Sequence, residues 1–369
     1  MFENWTKERL FRIGRIVGLV VLVGVGLWKT GLWKTSDGPA RGRVAVVRRC
    51  QRVMGTSCTL AAVVPARRQA EARAVLGEVE SAIRAIEGRM SSWLDASEIS
   101  RLNAASMGRK VPLSPAVLTV LGVARDAAEA TDGAFDVTCR PLIELWREAG
   151  QRGALPDATQ RKTARALSGW KLITLLPDGV VKQSDTARVD LGGIAKGYAI
   201  DRAIDVLRRA ELGGVLTGGL VDIGGDLACF GTPAEGRFWS VDLQDPFATE
   251  PLATLQLREG AVCTSGNYER FTEIDGRRYS HILDPRTGLP ADAVPSVTVV
   301  AETAMVADVW ATALSVLGPD GLRRLPVGVE ALMVTGTRQE ERIVATPGLR
   351  KLLKRPLPKR LERLVVVGG

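Results

Sequence analysis

Tyr279-Ser280-His281-Ile282-Leu283-Asp284-Pro285-Arg286-Thr287-Gly288, a short way after Ser265-Gly266-Asn267-Tyr268, is the stretch around which this chain is organised. It holds the only histidine, so any chemistry that needs an imidazole is confined to it. A strand-like run ends in Ser-His, two apolar residues follow, and Asp-Pro-Arg-Thr-Gly reads as a sharp turn. Proline pre-sets φ at the second position of such a turn and glycine tolerates φ > 0 at its end. His281 and Asp284 are therefore expected at the mouth of a strand, where a rigid scaffold presents working groups. By spacing alone, a self-satisfied turn fits the same residues equally well.

Outward from this stretch, 369 residues allow one large domain or two smaller ones with a sizeable core. The formal charge of +9 is not spread over the body. Residues 1–49 carry a net +7 and residues 346–369 a net +6, which leaves the residues between them mildly acidic. Nothing there would grip a phosphate backbone, and the aromatics are too scattered for a base-stacking platform, so nucleic acid is excluded as a partner. Five cysteines (Cys50, Cys58, Cys139, Cys229, Cys263) include no C-x-x-C pair and form an odd set. They read as buried free thiols rather than a zinc site or a disulfide framework.

Lys7, Arg9, Arg12 and Arg15 precede an unbroken apolar run, Ile16 to Trp28. At about 1.5 Å per residue the run reaches roughly 20 Å, short of the ~30 Å hydrocarbon core. A basic segment before a short apolar one is the form of a secretory signal. The alternative is an uncleaved anchor, with Arg15 and Lys29 snorkelling and Trp28 and Trp33 at the interface. Residues 1–35 are thus expected to be a signal peptide or membrane anchor, with 36–49 as linker. The charge asymmetry puts the N-terminus in the cytoplasm and the body outside it.

In the body, Cys50 to Val64 reads as a strand carrying Met54-Gly55-Thr56. Residues 66–87 read as a helix, with Ala72, Val75, Leu76, Val79, Ile83 and Ile86 at helical spacing. A second helix over 115–131 feeds Asp132-Gly133-Ala134-Phe135-Asp136-Val137-Thr138, expected to turn into a strand. Pro141 to Glu148 reads as a short helix and 149–165 as a surface insertion. Val189 to Asp201 reads as strand, glycine pair (Gly192-Gly193) and helix. Glycines at such a junction let backbone N–H groups approach a phosphate. The pattern is not G-x-G-x-x-G, and Asp190 precedes the glycines, so a Rossmann dinucleotide site does not match. Ala304 to Leu317 is an apolar helix in which Asp308 and Thr312 stand one turn apart on one face. A carboxylate and a hydroxyl so placed are hard oxygen ligands of the kind Mg²⁺ takes; the bland alternative is a Thr bonded back to its own helix. Residues 347–369 read as a basic tail.

Taken in order, these segments resemble one family. Met-Gly-Thr at 54–56, Met-Ser-Ser-Trp with Ser-Glu-Ile-Ser-Arg-Leu-Asn across 90–103, and Gly-Ala-Phe-Asp-Val-Thr at 133–138 come first. Val-Asp-Leu-Gly-Gly-Ile-Ala-Lys-Gly-Tyr-Ala at 189–199, Thr-Ser-Gly-Asn-Tyr at 264–268, Ser-His-Ile-Leu-Asp-Pro-Arg-Thr-Gly at 280–288 and Ala-Asp-Val-Trp-Ala-Thr-Ala-Leu at 307–314 follow. The set is similar to the ApbE family of FAD:protein FMN transferases, with the matching domain expected over 50–346.

The resemblance implies an α+β fold with two sheet-containing lobes flanked by helices and FAD in the cleft between them. It implies Mg²⁺-dependent transfer of FMN from FAD to a threonine hydroxyl of an acceptor flavoprotein, with release of AMP. The acceptor would be a subunit of a membrane redox complex or an exported flavoprotein. It places Met54, Trp93, Ala134, Phe135, Asp136, Asp190, Lys196 and Leu283 at FAD-contacting positions, and Asp308, Thr312 and Gly193 at the metal. His281 matches a histidine the family needs; His281 and Asp284 are both candidates for the base. Cys58, Cys139, Cys263 and Asp222 depart from the family's commoner residues. Two other readings fit the same residues: a FAD pyrophosphatase yielding free FMN and AMP, and a flavin-binding module without turnover.

Overall fold

Leu60-Ala61-Ala62-Val63-Val64 is apolar at every position, the pattern of a strand covered on both faces. In the computed structural model, which describes residues 42–267 and 271–367, that is where it lies. Leu60, Ala62 and Val64 enter one hydrophobic core, and Ala61 and Val63 enter another on the opposite face. The sheet they belong to has nine strands: β1 (Arg43–Val53), β2 (Thr56–Pro65), β3 (Gly218–Ile223), β4 (Asp226–Gly231), β5 (Gly260–Gly266), β6 (Ser296–Ala301), β7 (Glu330–Thr335), β8 (Arg342–Ala345) and β9 (Val365–Val366). They lie side by side in sequence order. Every neighbouring pair is antiparallel except β8 and β9.

The chain leaves this sheet for its helices: α1 (Gln69–Met90), α2 (Glu98–Ala104), α3 (Pro115–Ala130), α4 (Arg140–Arg152), α5 (Ala158–Ala166) and α6 (Ala195–Leu212) between β2 and β3, then α7 (Ala304–Leu317) and α8 (Pro347–Leu352). The larger core lies between one face of the sheet and α1, α3, α6 and α7. In α1 the buried stripe is Ala72, Leu76, Val79, Ile83, Ile86 and Met90: the expected one with Val75 only half-buried and Met90 added at the end. The second core covers the other face with the hairpin Trp239–Gln244/Pro251–Leu257 and with Leu349, Leu353 and Leu361. Four smaller sheets complete the described strands, one of three strands and three of two.

Several expectations are corrected. The single strand over 50–64 is two strands, β1 and β2, joined at Met54-Gly55; β1 begins at Arg43, inside the expected linker. Positive φ at Met54 (50°) and Gly55 (77°) is what a tight antiparallel hairpin turn requires. Residues 132–138 and 189–194 are turns and extended coil rather than strands, because both are held by side-chain and loop hydrogen bonds instead of a ladder. The expected insertion is the end of α4 plus α5, which opens with a capping box at Asp157 and Gln160. The basic tail is no solvated arm: Leu349, Leu353 and Leu361 are buried, and Arg360 pairs with Asp245 and Glu341. The signal or anchor segment lies outside the described residues. Among those described, no helix is long and apolar enough to cross a membrane.

Candidate active site

Helices α6 and α7 cross at Gly197, where a Cβ would run into the backbone of Ala304 and Met305. Only glycine permits this approach. Asp201, one turn along α6, accepts from the N–H groups of Ala304 (2.7 Å) and Met305 (3.0 Å) and so caps α7 from outside. In return Asp308 of α7 accepts the Gly197 N–H at 3.0 Å. Its carboxylate is buried against the positive end of α6, the favourable end for an anion. The other oxygen lies 4.0 Å from Lys196 Nζ. Lys196 itself pairs with buried Asp226, whose second oxygen accepts the Thr264 N–H at 3.0 Å.

One turn beyond Asp308, the Thr312 hydroxyl faces Gly193: a Cβ there would stand 3.1 Å from Oγ1 and 3.2 Å from Phe135 Cε2. Ser315 on the same helix bonds back to the Ala311 carbonyl at 2.9 Å. Among the described residues, Thr312 Oγ1 finds no hydrogen-bond partner, so the back-bonded alternative is not taken. A buried carboxylate, an uncommitted hydroxyl and a backbone turn with no side chain in the way form a hard-oxygen donor set that fits Mg²⁺. Phe135, Gly193, Lys196, Asp308 and Thr312 are thus brought together.

Asp190 ties the next ring of residues. Its carboxylate accepts from Ser92 Oγ (2.9 Å), Arg140 (3.1 Å) and the Gly192 N–H (2.9 Å), while its own N–H donates to Val137 O at 2.8 Å. Arg140 also bonds Glu144 at 2.9 Å. Beside them Trp93 is 67% exposed, with the guanidinium groups of Arg140 and Arg147 5.7 Å and 5.3 Å from its ring centroid. An exposed tryptophan flanked by arginines is not core filler. Met54 sits in a strained turn held by a 2.8 Å bond from its N–H to Glu87 and by Thr56 against Gly224.

The histidine-bearing turn reaches the same loop. Arg286 Cγ lies 3.8 Å from the Cβ position of Gly133, two residues before Phe135. Asp284 accepts two Arg286 side-chain bonds, at 2.9 and 3.0 Å, and the Arg286 N–H at 2.9 Å. Trp146 donates to Gly288 O at 2.9 Å, and Leu283 packs into the small core with Leu142 and Trp146. His281 is exposed. Ala134 is buried, and Asp136 is turned inward, one oxygen accepting from Thr138 N (2.8 Å) and Oγ1 (2.7 Å). Burial pushes the Asp136 carboxyl above the usual carboxylate range despite those bonds.

Sequence reasoning missed Asp226, Asp201 and Arg140. In the sequence Asp226 merely closes the glycine-rich run Asp222-Ile223-Gly224-Gly225-Asp226. A carboxylate that must neutralise a lysine thirty positions away leaves no local signal, and neither does a cap supplied by a different helix. Asp222, in the same hairpin, is pushed up to about 6 by burial, against the pull of the Gly225 N–H and Lys196.

A family model described as the ApbE family matches residues 54–333. The FAD:protein FMN transferase of Treponema pallidum is 33% identical over 361 residues, covering 92% of this chain and 94% of that protein. A protein of the same name from Escherichia coli K12 is 29% identical over 74% of this chain and 79% of its own length. The crystal structure of the ApbE protein of Thermotoga maritima superposes with a TM-score of 0.74 at 29% identity, over 85% of this chain and all of that one. The apo flavinyl transferase ApbE of Pseudomonas stutzeri gives 0.73 at 30% identity, over 85% and 98%. The chain belongs to the ApbE family.

Proposed function

We propose that this ApbE-family enzyme is a FAD:protein FMN transferase that moves FMN from FAD to a threonine hydroxyl of an acceptor protein, releasing AMP in a Mg²⁺-dependent reaction. The observation that carries the reading is the pairing of buried Asp308 with a Thr312 hydroxyl that is aimed at Gly193 and bonded to nothing among the described residues. Asp308, Thr312 and the Gly193 carbonyl would hold the ion, which when bound supplies charge neutralisation for a diphosphate. Trp93, Asp190 and Met54 bind and orient the dinucleotide from three separate segments. Lys196, held by Asp226, keeps a positive charge beside the same site.

In the transfer, the threonine oxygen forms a bond to the FMN phosphorus as the bond from that phosphorus to the AMP oxygen breaks. The proton leaving threonine Oγ passes to the His281 imidazole, a group whose ordinary pKa suits the task. Asp284 is the weaker candidate for that role, because both its oxygens already accept from Arg286. The body works outside the cytoplasm, at the periplasmic face of the inner membrane; the basic flank before residues 16–28 supports this orientation.

Incubation with FAD, Mg²⁺ and a threonine-bearing acceptor flavoprotein, followed by intact-mass analysis, tests the proposal. The expected result is an FMN-sized increment on the acceptor threonine with one AMP per label. FMN and AMP appearing free, with the acceptor unlabelled, would make the chain a FAD pyrophosphatase. FAD bound yet intact would make it a flavin-binding module.

A further inference from the structure

The β1–β2 hairpin sets Cys50 directly opposite Cys58. Side chains so placed point to the same face, and their Cα atoms stand about 4.5 or 5.5 Å apart depending on the ladder position. Both values fall in the disulfide range of roughly 4.4–6.8 Å. Both thiols are free and buried in the helix-covered core. The remaining three cysteines have no such neighbour. Cys229 packs on the opposite face of the sheet, Cys263 lies opposite Val299, and Cys139 precedes α4.

We propose that Cys50 and Cys58 form a modification site: a thiol pair that an external disulfide converts into a cross-strand disulfide at the base of the Met54 hairpin. Two features beyond register support this. Between the two cysteines the backbone takes positive φ at Arg52, Met54 and Gly55, so this is the part of the hairpin with most strain to constrain. β1 is the edge strand of the sheet, so opening the hairpin needs the loss of one ladder only. Against it, burial and Glu80 hold the Cys50 thiol above its ordinary range, and the nearby Arg48 guanidinium offsets this only in part.

The chemistry balances as thiol–disulfide exchange. The Cys50 thiolate attacks one sulfur of the external disulfide and expels a thiol. The Cys58 thiolate then attacks the mixed disulfide at the Cys50 sulfur and expels the second thiol. The protein loses two electrons and two protons, and the external disulfide is reduced to two thiols. Because burial raises both protein thiols, and Cys58 more strongly, the first attack waits on opening of the β1 edge and is slow in the native state.

The test equilibrates the full chain in glutathione buffers from reducing to oxidising, then quenches in acid, alkylates under denaturant and maps the peptides. At the oxidising end one Cys50–Cys58 link is expected, with Cys139, Cys229 and Cys263 alkylated and the unalkylated mass about 2 Da lower. Cys58→Ser should abolish the link and leave Cys50 alkylated or carrying glutathione. Alkylation of all five cysteines in the wild-type chain, a stable glutathione adduct in place of the link, or a link to any other cysteine would overturn the proposal. The readout is covalent mapping, so it stands or falls independently of flavin transfer.

Discussion

Thr312 Oγ1 lies 3.1 Å from the place a Cβ on Gly193 would occupy. Two segments more than a hundred residues apart in sequence therefore meet with room for a backbone and a hydroxyl and nothing larger. Gly193→Ala should leave the fold in place, since its φ is an ordinary one, but push Thr312 and Phe135 aside by tenths of an ångström. Flavin transfer at saturating FAD is expected to fall at least about tenfold, as sub-ångström misplacement does in a preorganised site. A titration of rate against Mg²⁺, with circular dichroism as control, checks it; unchanged metal dependence would remove Gly193 from the site.

Asp308→Ala removes the buried carboxylate and leaves the Gly197 N–H without its acceptor. A stability cost of about 1–3 kcal/mol is expected for the orphaned donor. Lys196 keeps its pairing with Asp226, so the domain should still fold. Labelling of an acceptor should disappear at every Mg²⁺ concentration tried. Full activity would locate the metal elsewhere.

His281 and Asp284 separate by substitution. His281→Ala should slow transfer by roughly 10²–10⁴-fold and remove the acidic limb of the pH–rate profile. Asp284→Asn releases Arg286 and loosens the turn, so a smaller loss with the pH profile retained is expected. The opposite pattern would make Asp284 the base.

Asp222 makes stability depend on pH. Burial holds its folded pKa at about 6, above the ordinary value of about 3.8, so between those two pH values the folded state binds more protons than the unfolded one. Stability is then highest below the unfolded pKa and is lost as pH rises through the folded pKa. Asp222→Asn keeps an acceptor for the Gly225 N–H and removes the buried charge. Urea unfolding at pH 8 should show the variant more stable, by up to about 3 kcal/mol for a two-unit shift, with the difference vanishing near pH 4. Equal stability at pH 8 would mean Lys196 fully compensates the charge.

By itself the sequence determined the pieces whose cause is local. Helical spacing fixed the buried stripe of α1, and α7 runs over Ala304–Leu317 as read, because periodic apolar side chains state which face is covered without naming what covers it. It also set Asp308 and Thr312 one turn apart and confined the imidazole to one turn. Only the tertiary structure decided the partners. Met54-Gly55 became a hairpin turn because β1 found a ladder on β2, not because of any preference in Met. Lys196 took Asp226, and the first two N–H groups of α7 took Asp201 in addition to the helix's own Thr303 cap, since a buried charge or an orphan N–H is satisfied by whatever the fold brings near it, at any separation along the chain.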